Sequence, residues 1–317
     1  MRVYLLKRAA MTVLVLLLVT IFISLLTHIV PGDAARTLLG PLAKPELVEK
    51  FRVRMGLDQP VPVQVARFVW NVLHGSFGTD AITGREIGNL IAGDLPHTLI
   101  LAWTSLGLAV LVGLPLGVYS ATHPDSWLDR LTALISISFI TVPSYVAGLF
   151  LLLLFAVQLK VMPAIGVGER GDVGDYIRHL ILPAVALAVT WIGYLARLVR
   201  ASMLEVMNET YIRAAMASGL SRRLIQYKYA LKNSLIPTVA TLAVGIGNLM
   251  GGAVFVEIIF ARPGMGTLIY NAIKTRNYPI VQAGVLIIAF LFVIANLAAD
   301  FVYTWLDPRF QLGKKQG

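Results

Sequence analysis

Four ionisable side chains stand where an apolar chain could do chemistry: Glu257, Asp300, His179 and Arg197. Each lies at the end of a long charge-free stretch, not inside one. Ionisable groups within lipid-buried helices mark ion or proton paths. Here the interiors offer only Asn248, Gln158, Asn296 and scattered Ser and Thr, which argues against a proton-coupled carrier. The five histidines, at 28, 74, 97, 123 and 179, fall on separate segments without ligand spacing, so no metal site is expected. No G-x-x-x-x-G-K-S/T, H-E-x-x-H or G-x-S-x-G occurs, so P-loop ATP hydrolysis and two common hydrolytic chemistries are excluded. Gly245-Ile246-Gly247 opens like a nucleotide fingerprint, but Met250 takes the place of the third glycine. Gly247 and Gly251, four apart in an apolar helix, read better as a close helix–helix contact. The chain therefore reads as a non-enzyme with no cofactor of its own.

The elements that carry these residues follow from composition. Of 317 residues, 57% are apolar and 14% charged, against about 25% charged in a soluble domain. Mean hydropathy is +0.76. One soluble core of this size cannot hide that much apolar surface, so lipid is the implied solvent. There are no cysteines, hence no disulfides. Lys and Arg number 27 against 17 Asp and Glu, a net charge of +10. In a membrane protein that excess belongs to cytoplasmic loops, and no basic run interleaved with aromatics suggests nucleic acid.

Six charge-free stretches approach the roughly 20 apolar residues a spanning helix needs: 9–32, 98–122, 131–159, 180–196, 233–256 and 277–299. Lipid-buried backbone must bond internally, so these are helices, placed at about 9–31, 98–122, 131–159, 179–199, 233–257 and 280–304. The first follows Arg2, Lys7 and Arg8 as a signal peptide would, but it is long and lacks a cleavage site, so it reads as an uncleaved helix. With the N-terminus inside, the inside segments hold 14 Lys and Arg, and the two short outside segments hold 6. Long loops are discounted in this rule, so both termini are expected in the cytoplasm. Segment 33–97 becomes an external insert with helices at 45–55 and 63–73. The chain divides into 1–97, the first helix and insert; 98–305, the transmembrane core; and 306–317, a cytoplasmic tail.

The inside loop 201–232 is the most informative segment. Leu204, Met207, Tyr211, Ala215 and Ser218 fall at helical steps, giving one apolar or small face. Gly219 stands where a helix ends, because a left-handed residue there needs no Cβ. Ser221 is a plausible N-cap for a second, basic helix over 222–232. Arg222, Arg223, Lys228 and Lys232 suit an interfacial hairpin on anionic lipid. Ala214, Ala215, Ala217 and Gly219 equally suit close approach to a groove on a partner protein.

Arg213-Ala214-Ala215-Met216-Ala217-Ser218-Gly219 resembles the E-A-A-x-x-x-G loop of permeases of ATP-binding-cassette (ABC) importers, with Arg213 in place of the Glu. Tyr229-Ala230-Leu231-Lys232 replaces the I-x-L-P that follows, a departure shared by the peptide branch of that family. Phe260-Ala261-Arg262-Pro263-Gly264-Met265-Gly266 is similar to that branch's F-x-x-P-G-L/M-G turn. Arg276-Asn277-Tyr278-Pro279 resembles R-D-Y-P, with Asn for Asp, and Asp307-Pro308-Arg309 matches D-P-R. Pro31-Gly32-Asp33 and Gly56 to Gln64 look like the first of the branch's two permease subunits. The resemblance runs from about residue 3 to 312.

The resemblance implies an all-α polytopic membrane protein of six transmembrane helices, with the type I importer permease fold and an extracytoplasmic insert. It implies half of a translocation path, paired with a second, homologous permease in a heterodimer. Two cytoplasmic P-loop ATPase subunits would bind ATP and Mg, and an extracytoplasmic solute-binding protein would deliver the cargo. Peptides are the usual cargo of the branch; nickel, glutathione, opines and some sugars share it. The ATPase-coupling loop falls on Tyr211, Ile212, Arg213, Ala214, Ala215, Ser218 and Gly219, with Tyr211 and Ile212 as anchors. Pro263, Gly264, Gly266, Tyr278 and Pro279 are candidates for an external turn or gate. A bacterial inner membrane and contact with lipid follow. A stand-alone secondary carrier or channel is the alternative reading.

Overall fold

A computed structural model describes residues 2–29, 34–40, 42–169 and 171–306. Among these, regular structure is helical, apart from one isolated bridge between Thr79 and Glu86. Helix α1 spans Arg2–Ile29, α2 Ala34–Leu39, α3 Pro45–Arg54, α4 Val61–Leu73 and α5 Ile87–Thr122. Next come α6 Trp127–Thr141, α7 Ser144–Leu151 with a π-helical continuation Leu152–Gln158, and α8 Val173–Met207. The chain ends through α9 Thr210–Ala217, α10 Arg222–Leu224, a π segment Ile225–Ala230, α11 Leu231–Ile259, α12 Met265–Lys274 and α13 Tyr278–Leu306. Among the described residues, four helical runs are long and apolar enough to cross a membrane, and the bent pair α6–α7 makes a fifth if it is one span. In α1 the apolar segment is Ala10–Leu26.

Caps rather than hydropathy set several helix ends. Asp172 caps α8 by accepting the Asp175 N–H at 3.0 Å, so α8 begins before its apolar stretch. Helix α5 likewise starts at Ile87, carrying Asp94 and His97 ahead of the apolar run. The insert helices sit close to their expected places because Pro45 and Pro62 occupy first-turn positions, where the missing N–H costs nothing.

The expected single helix over 131–159 is broken. Proline disfavours the helical region for the residue before it, and Val142 is extended, with φ −79° and ψ 118°. The axes of α6 and α7 differ by 103°. Broken helices at membrane depth need their freed backbone groups satisfied. The Val142 carbonyl accepts the Thr190 hydroxyl of α8 at 3.3 Å.

The chain forms two compact units. One comprises Met1–Thr98 and Pro263–Val293. Its core gathers Ile23 of α1, Ile87 and Ile91 of α5, Met265 and Ala272 of α12, and Ile280 and Ala283 of α13. Phe68 and Phe77 from the insert pack against that core. Asp80 organises the insert's last loop: its carboxylate accepts the Ile82 N–H at 3.0 Å, the Thr83 N–H at 3.2 Å and the Thr83 hydroxyl. The same carboxylate accepts the Asn277 amide, just before α13. The other unit comprises Leu99–Arg262 and Ile294–Gly317 and is built around α8, which packs on α6, α7 and α11.

Candidate functional site

The loop between α8 and α11 is the segment whose sequence carries the most specific pattern. Helix α8 ends at Met207, and Asn208 and Glu209 break the path before α9 starts at Thr210. The helical face counted from Leu204 to Ser218 therefore crosses a break and does not exist as one face. Within α9, Ile212 is fully buried, while Tyr211, Arg213, Ala214, Met216, Ala217 and Ser218 are exposed. Ile212 packs with Val118 and Ala121 of α5, Val199 and Met203 of α8, and Ile225 and Ala230 beyond the turn. It thus anchors α9 to its own chain and is not available as an anchor for another protein. Tyr211 keeps an exposed ring, and its hydroxyl accepts the Asn233 amide at 2.7 Å.

Gly219 ends α9 with φ +76°, the left-handed value expected of it. The Leu220 N–H reaches back to the Ala215 carbonyl at 3.4 Å, and the Gly219 N–H to the Met216 carbonyl at 3.1 Å. A Cβ at Gly219 would meet nothing within 4 Å, so only the backbone conformation asks for glycine. Ser221 accepts the Leu224 N–H at 3.4 Å, as an N-cap should. The helix it opens is not a separate basic surface helix. It runs without interruption through the π segment into α11, ending at Ile259.

An ion pair that sequence spacing does not reveal fixes the neighbouring elements. Asp129, in the first turn of α6, binds Arg200 of α8 in two-pronged fashion, with Nε–Oδ1 2.6 Å and Nη2–Oδ2 2.9 Å. Ser126 caps α6 by accepting the Asp129 N–H at 3.1 Å. Acidic and basic residues 71 apart give no local signal.

The turn after α11 is ordered on both sides. Arg262 is buried at 1% exposure. Its guanidinium donates to the His179 carbonyl at 3.3 Å and the Tyr176 hydroxyl at 3.2 Å. Burial pulls this guanidinium below its ordinary value, while Tyr176 and Glu257 act in the opposite sense. Beyond it, Gly264 and Gly266 are buried, Pro263, Tyr278 and Pro279 are half-buried, and the Met265 N–H donates to Thr98 Oγ1 at 2.8 Å. Helix α12, which follows, adds an element to the 257–276 segment that the apolar stretches do not outline. Met265, Ile269 and Ala272, all buried at helical spacing, are the signal that would have found it. Of the two glycines expected to pack helices, Gly247 is buried, but Gly251 is exposed and a Cβ there would meet nothing within 4 Å. Gly245 makes the close approach instead, its added Cβ falling 2.8 Å from the Trp191 ring.

A cavity of 710 Å³ opens in the α8-centred unit, lined by Trp191 and Tyr194 of α8, Thr241 and Asn248 of α11, and Asp300 of α13. Indole, phenol, hydroxyl, amide and carboxylate groups there can meet a polar solute that has apolar parts.

A broken-span helical core, a short helix closed by a left-handed glycine and a Pro-Gly turn with its glycine buried describe a multi-pass membrane protein. Residues 113–312 match the family described as binding-protein-dependent transport system inner membrane component, and residues 1–101 match its N-terminal region. The chain belongs to that family. It is 38% identical over 310 residues to the probable peptide ABC transporter permease protein y4tP of Sinorhizobium fredii, covering 98% of this chain and 99% of that one. Identity to the probable D,D-dipeptide transport system permease protein DdpB of Escherichia coli is 38%, with 95% of each chain covered. The glutathione transport system permease protein GsiC of Salmonella paratyphi A is 35% identical, over 96% of this chain and 97% of that one. A solved inward-facing MetNI methionine ABC transporter shares the fold, with TM-score 0.58, 20% identity, and 69% of this chain and 96% of that chain covered. The chain is thus the membrane-spanning permease subunit of an ABC importer.

Proposed function

We propose that this permease carries peptides of the dipeptide or oligopeptide class. It would do so as one half of a heterodimeric path, with six membrane crossings and both termini in the cytoplasm. The insert then faces outside, where a solute-binding protein delivers the cargo. ATP and Mg are held by two separate ATPase subunits. Near-full-length similarity to relatives named for peptide and dipeptide transport supports the cargo class.

One observation carries the coupling role. Helix α9 turns an exposed face of Tyr211, Ala214, Ala217 and Ser218 away from a core that Ile212 fixes. Small residues on a rigidly held helix allow a groove on another protein to approach the backbone closely. A two-state transport cycle needs such a contact for the ATPase to bias. The test is reconstitution of the whole importer in vesicles and uptake of a peptide panel, with Ala214→Trp as the probe. Uptake of di- or oligopeptides that Ala214→Trp abolishes supports the reading. Uptake of a non-peptide solute alone overturns the cargo, and normal uptake by Ala214→Trp overturns the coupling role.

A further inference from the structure

The cavity of 710 Å³ lies wholly within the α8-centred unit. Its size falls in the range of about 300–1,000 Å³ usual for small-ligand sites. One stripe of α11 faces it, where Thr241, Val244 and Asn248 recur at helical steps of three and four. Gly245 belongs to the same stripe and is covered by the Trp191 indole of α8, against which an added Cβ would fall at 2.8 Å. The missing side chain lets the indole lie across α11, between the levels of Thr241 and Asn248. Tyr194, about one turn further along α8, meets that indole edge-on, with ring centroids 5.8 Å apart. Asn248 stands within a turn of the middle of the charge-free stretch 233–256, yet it is exposed. Neither its side chain nor that of Thr241 is bonded to another described residue. Pro237, which also lines the cavity, is about 16 Å along α11 from Asn248, toward α9. The cavity therefore runs from mid-span toward the α9 side.

We propose that this cavity is the station where a short extended peptide rests within the permease, held by Asn248 and Thr241 and read by Trp191; this rests on the peptide cargo proposed above. A primary amide carries both donors and an acceptor, so Asn248 can pair with the C=O and N–H of a peptide unit. Thr241 is seven residues away, about 10 Å along the helix. An extended chain advances about 3.3–3.6 Å per residue, so the two groups meet peptide units about three residues apart. The indole and phenol beside them offer an apolar face to the side chain between those units. An acyl chain could not fill the same place as well, because lipid offers no partner to an amide at mid-span. Asp300, also on the lining, is engaged within the chain, and the station needs no charge from it. Recognition through the peptide backbone admits many sequences, with the aromatic pair favouring an apolar central residue.

The test is uptake by the whole importer reconstituted in vesicles, comparing tripeptides with phenylalanine, alanine or aspartate at the centre. Asn248→Leu keeps the size and removes both kinds of hydrogen-bonding group. It should slow uptake of all three about tenfold, because a peptide unit is left unpaired. Asn248→Gln should recover part of that loss. Trp191→Ala, and Gly245→Ala, which displaces the indole, should abolish the preference for phenylalanine over alanine at the centre. In the native chain, a tripeptide with a photoactivatable central ring should label residues 191–194 and 241–248. Should Asn248→Leu fail to assemble, that label decides. Native peptide uptake that Asn248→Leu and Trp191→Ala leave unchanged in rate and preference overturns the station alone, as does label that misses both segments. A native importer that takes up no peptide overturns the cargo reading and the station with it.

Discussion

The carboxylate of Asp80 accepts a hydrogen bond from the side-chain amide of Asn277, although 197 positions separate the two residues. Both are buried, at 6% and 2% exposure. The bond ties the last loop of the insert to the residue that precedes α13. Asn277 is also the position at which the sequence departs from the R-D-Y-P pattern, and an amide can donate where a carboxylate cannot. Asn277→Asp would set two carboxylates against each other, and one would have to take up a proton or move away. The expected loss is on the order of 2 kcal/mol, read as a lower thermal midpoint of the purified importer. Exchanging the pair, Asp80→Asn with Asn277→Asp, should recover only part of it, because an amide nitrogen at 80 cannot accept the Ile82 N–H that shares the Asn277-facing oxygen. A double variant no more stable than the single one would show that the bond does not hold the insert.

Acid should act on the same residue. Burial raises the Asp80 carboxyl, but hydrogen bonds from the Thr83 hydroxyl, the Ile82 N–H, the Asn277 amide and the Thr83 N–H outweigh it. They hold it below its ordinary value of 3.8. A depressed folded value stabilises fully above 3.8, and the stabilisation is lost as pH falls below that point through the folded value. Protease resistance of the insert should therefore stay level from neutral pH down to about 4 and drop below it. In Asp80→Asn the acid-side drop should shrink. An unchanged drop would assign it to other carboxylates.

Gly219 has φ +76° and open space around it. A side chain there costs of order 1 kcal/mol in backbone strain, and a β-branched one costs more. Gly219→Val should insert and assemble yet fail to transport, because the exit from α9 is misdirected. Gly219→Asn, which tolerates the left-handed region, should retain most uptake. Ser221→Ala removes a cap worth about 1 kcal/mol and should be mild. Normal uptake by Gly219→Val would mean that the direction of the chain after α9 is immaterial.

The Asp129–Arg200 pair is asymmetric, with side-chain exposures of 5% and 35%. Removing Arg200 leaves a buried carboxylate without its cation, a loss on the order of 3 kcal/mol. Removing Asp129 leaves an arginine long enough to reach the surface. Arg200→Ala should therefore lower the thermal midpoint more than Asp129→Ala does. The reverse order would place the burden on Arg200 instead.

Orientation can be read directly, because the chain has no cysteine. Ile165 is 62% exposed on the segment between α7 and α8. Ile165→Cys should react with an impermeant reagent on intact cells, and Arg223→Cys only after lysis. The opposite pattern would invert the proposed topology.

Much of the helical plan was legible because short-range chemistry writes it. Pro45, Pro62, Gly219 and Ser221 each fix one helix end through a local backbone requirement. Hydropathy failed at Val142–Pro143 because the residues on both sides are equally apolar, and an average over a span does not register a bend. Pro143 is the local sign of the break. The orientation of Ile212 was missed because the face was counted across the Asn208–Glu209 break, where helical phase resets. Asp80–Asn277 and Asp129–Arg200 join residues far apart in sequence, and nothing local announces such partners.

The core around Ile212 has a mechanical consequence. Val118, Met203 and Ile225 belong to three different helical runs, and all meet the one buried side chain of a helix only eight residues long. Close-packed interiors are poorly compressible, so a push on α9 is shared among α5, α8 and the run leading into α11 instead of bending one of them. Such a joint trades travel for stiffness. Trimming Ile212 to alanine would add compliance, and displacement at α9 would be absorbed there before reaching the membrane.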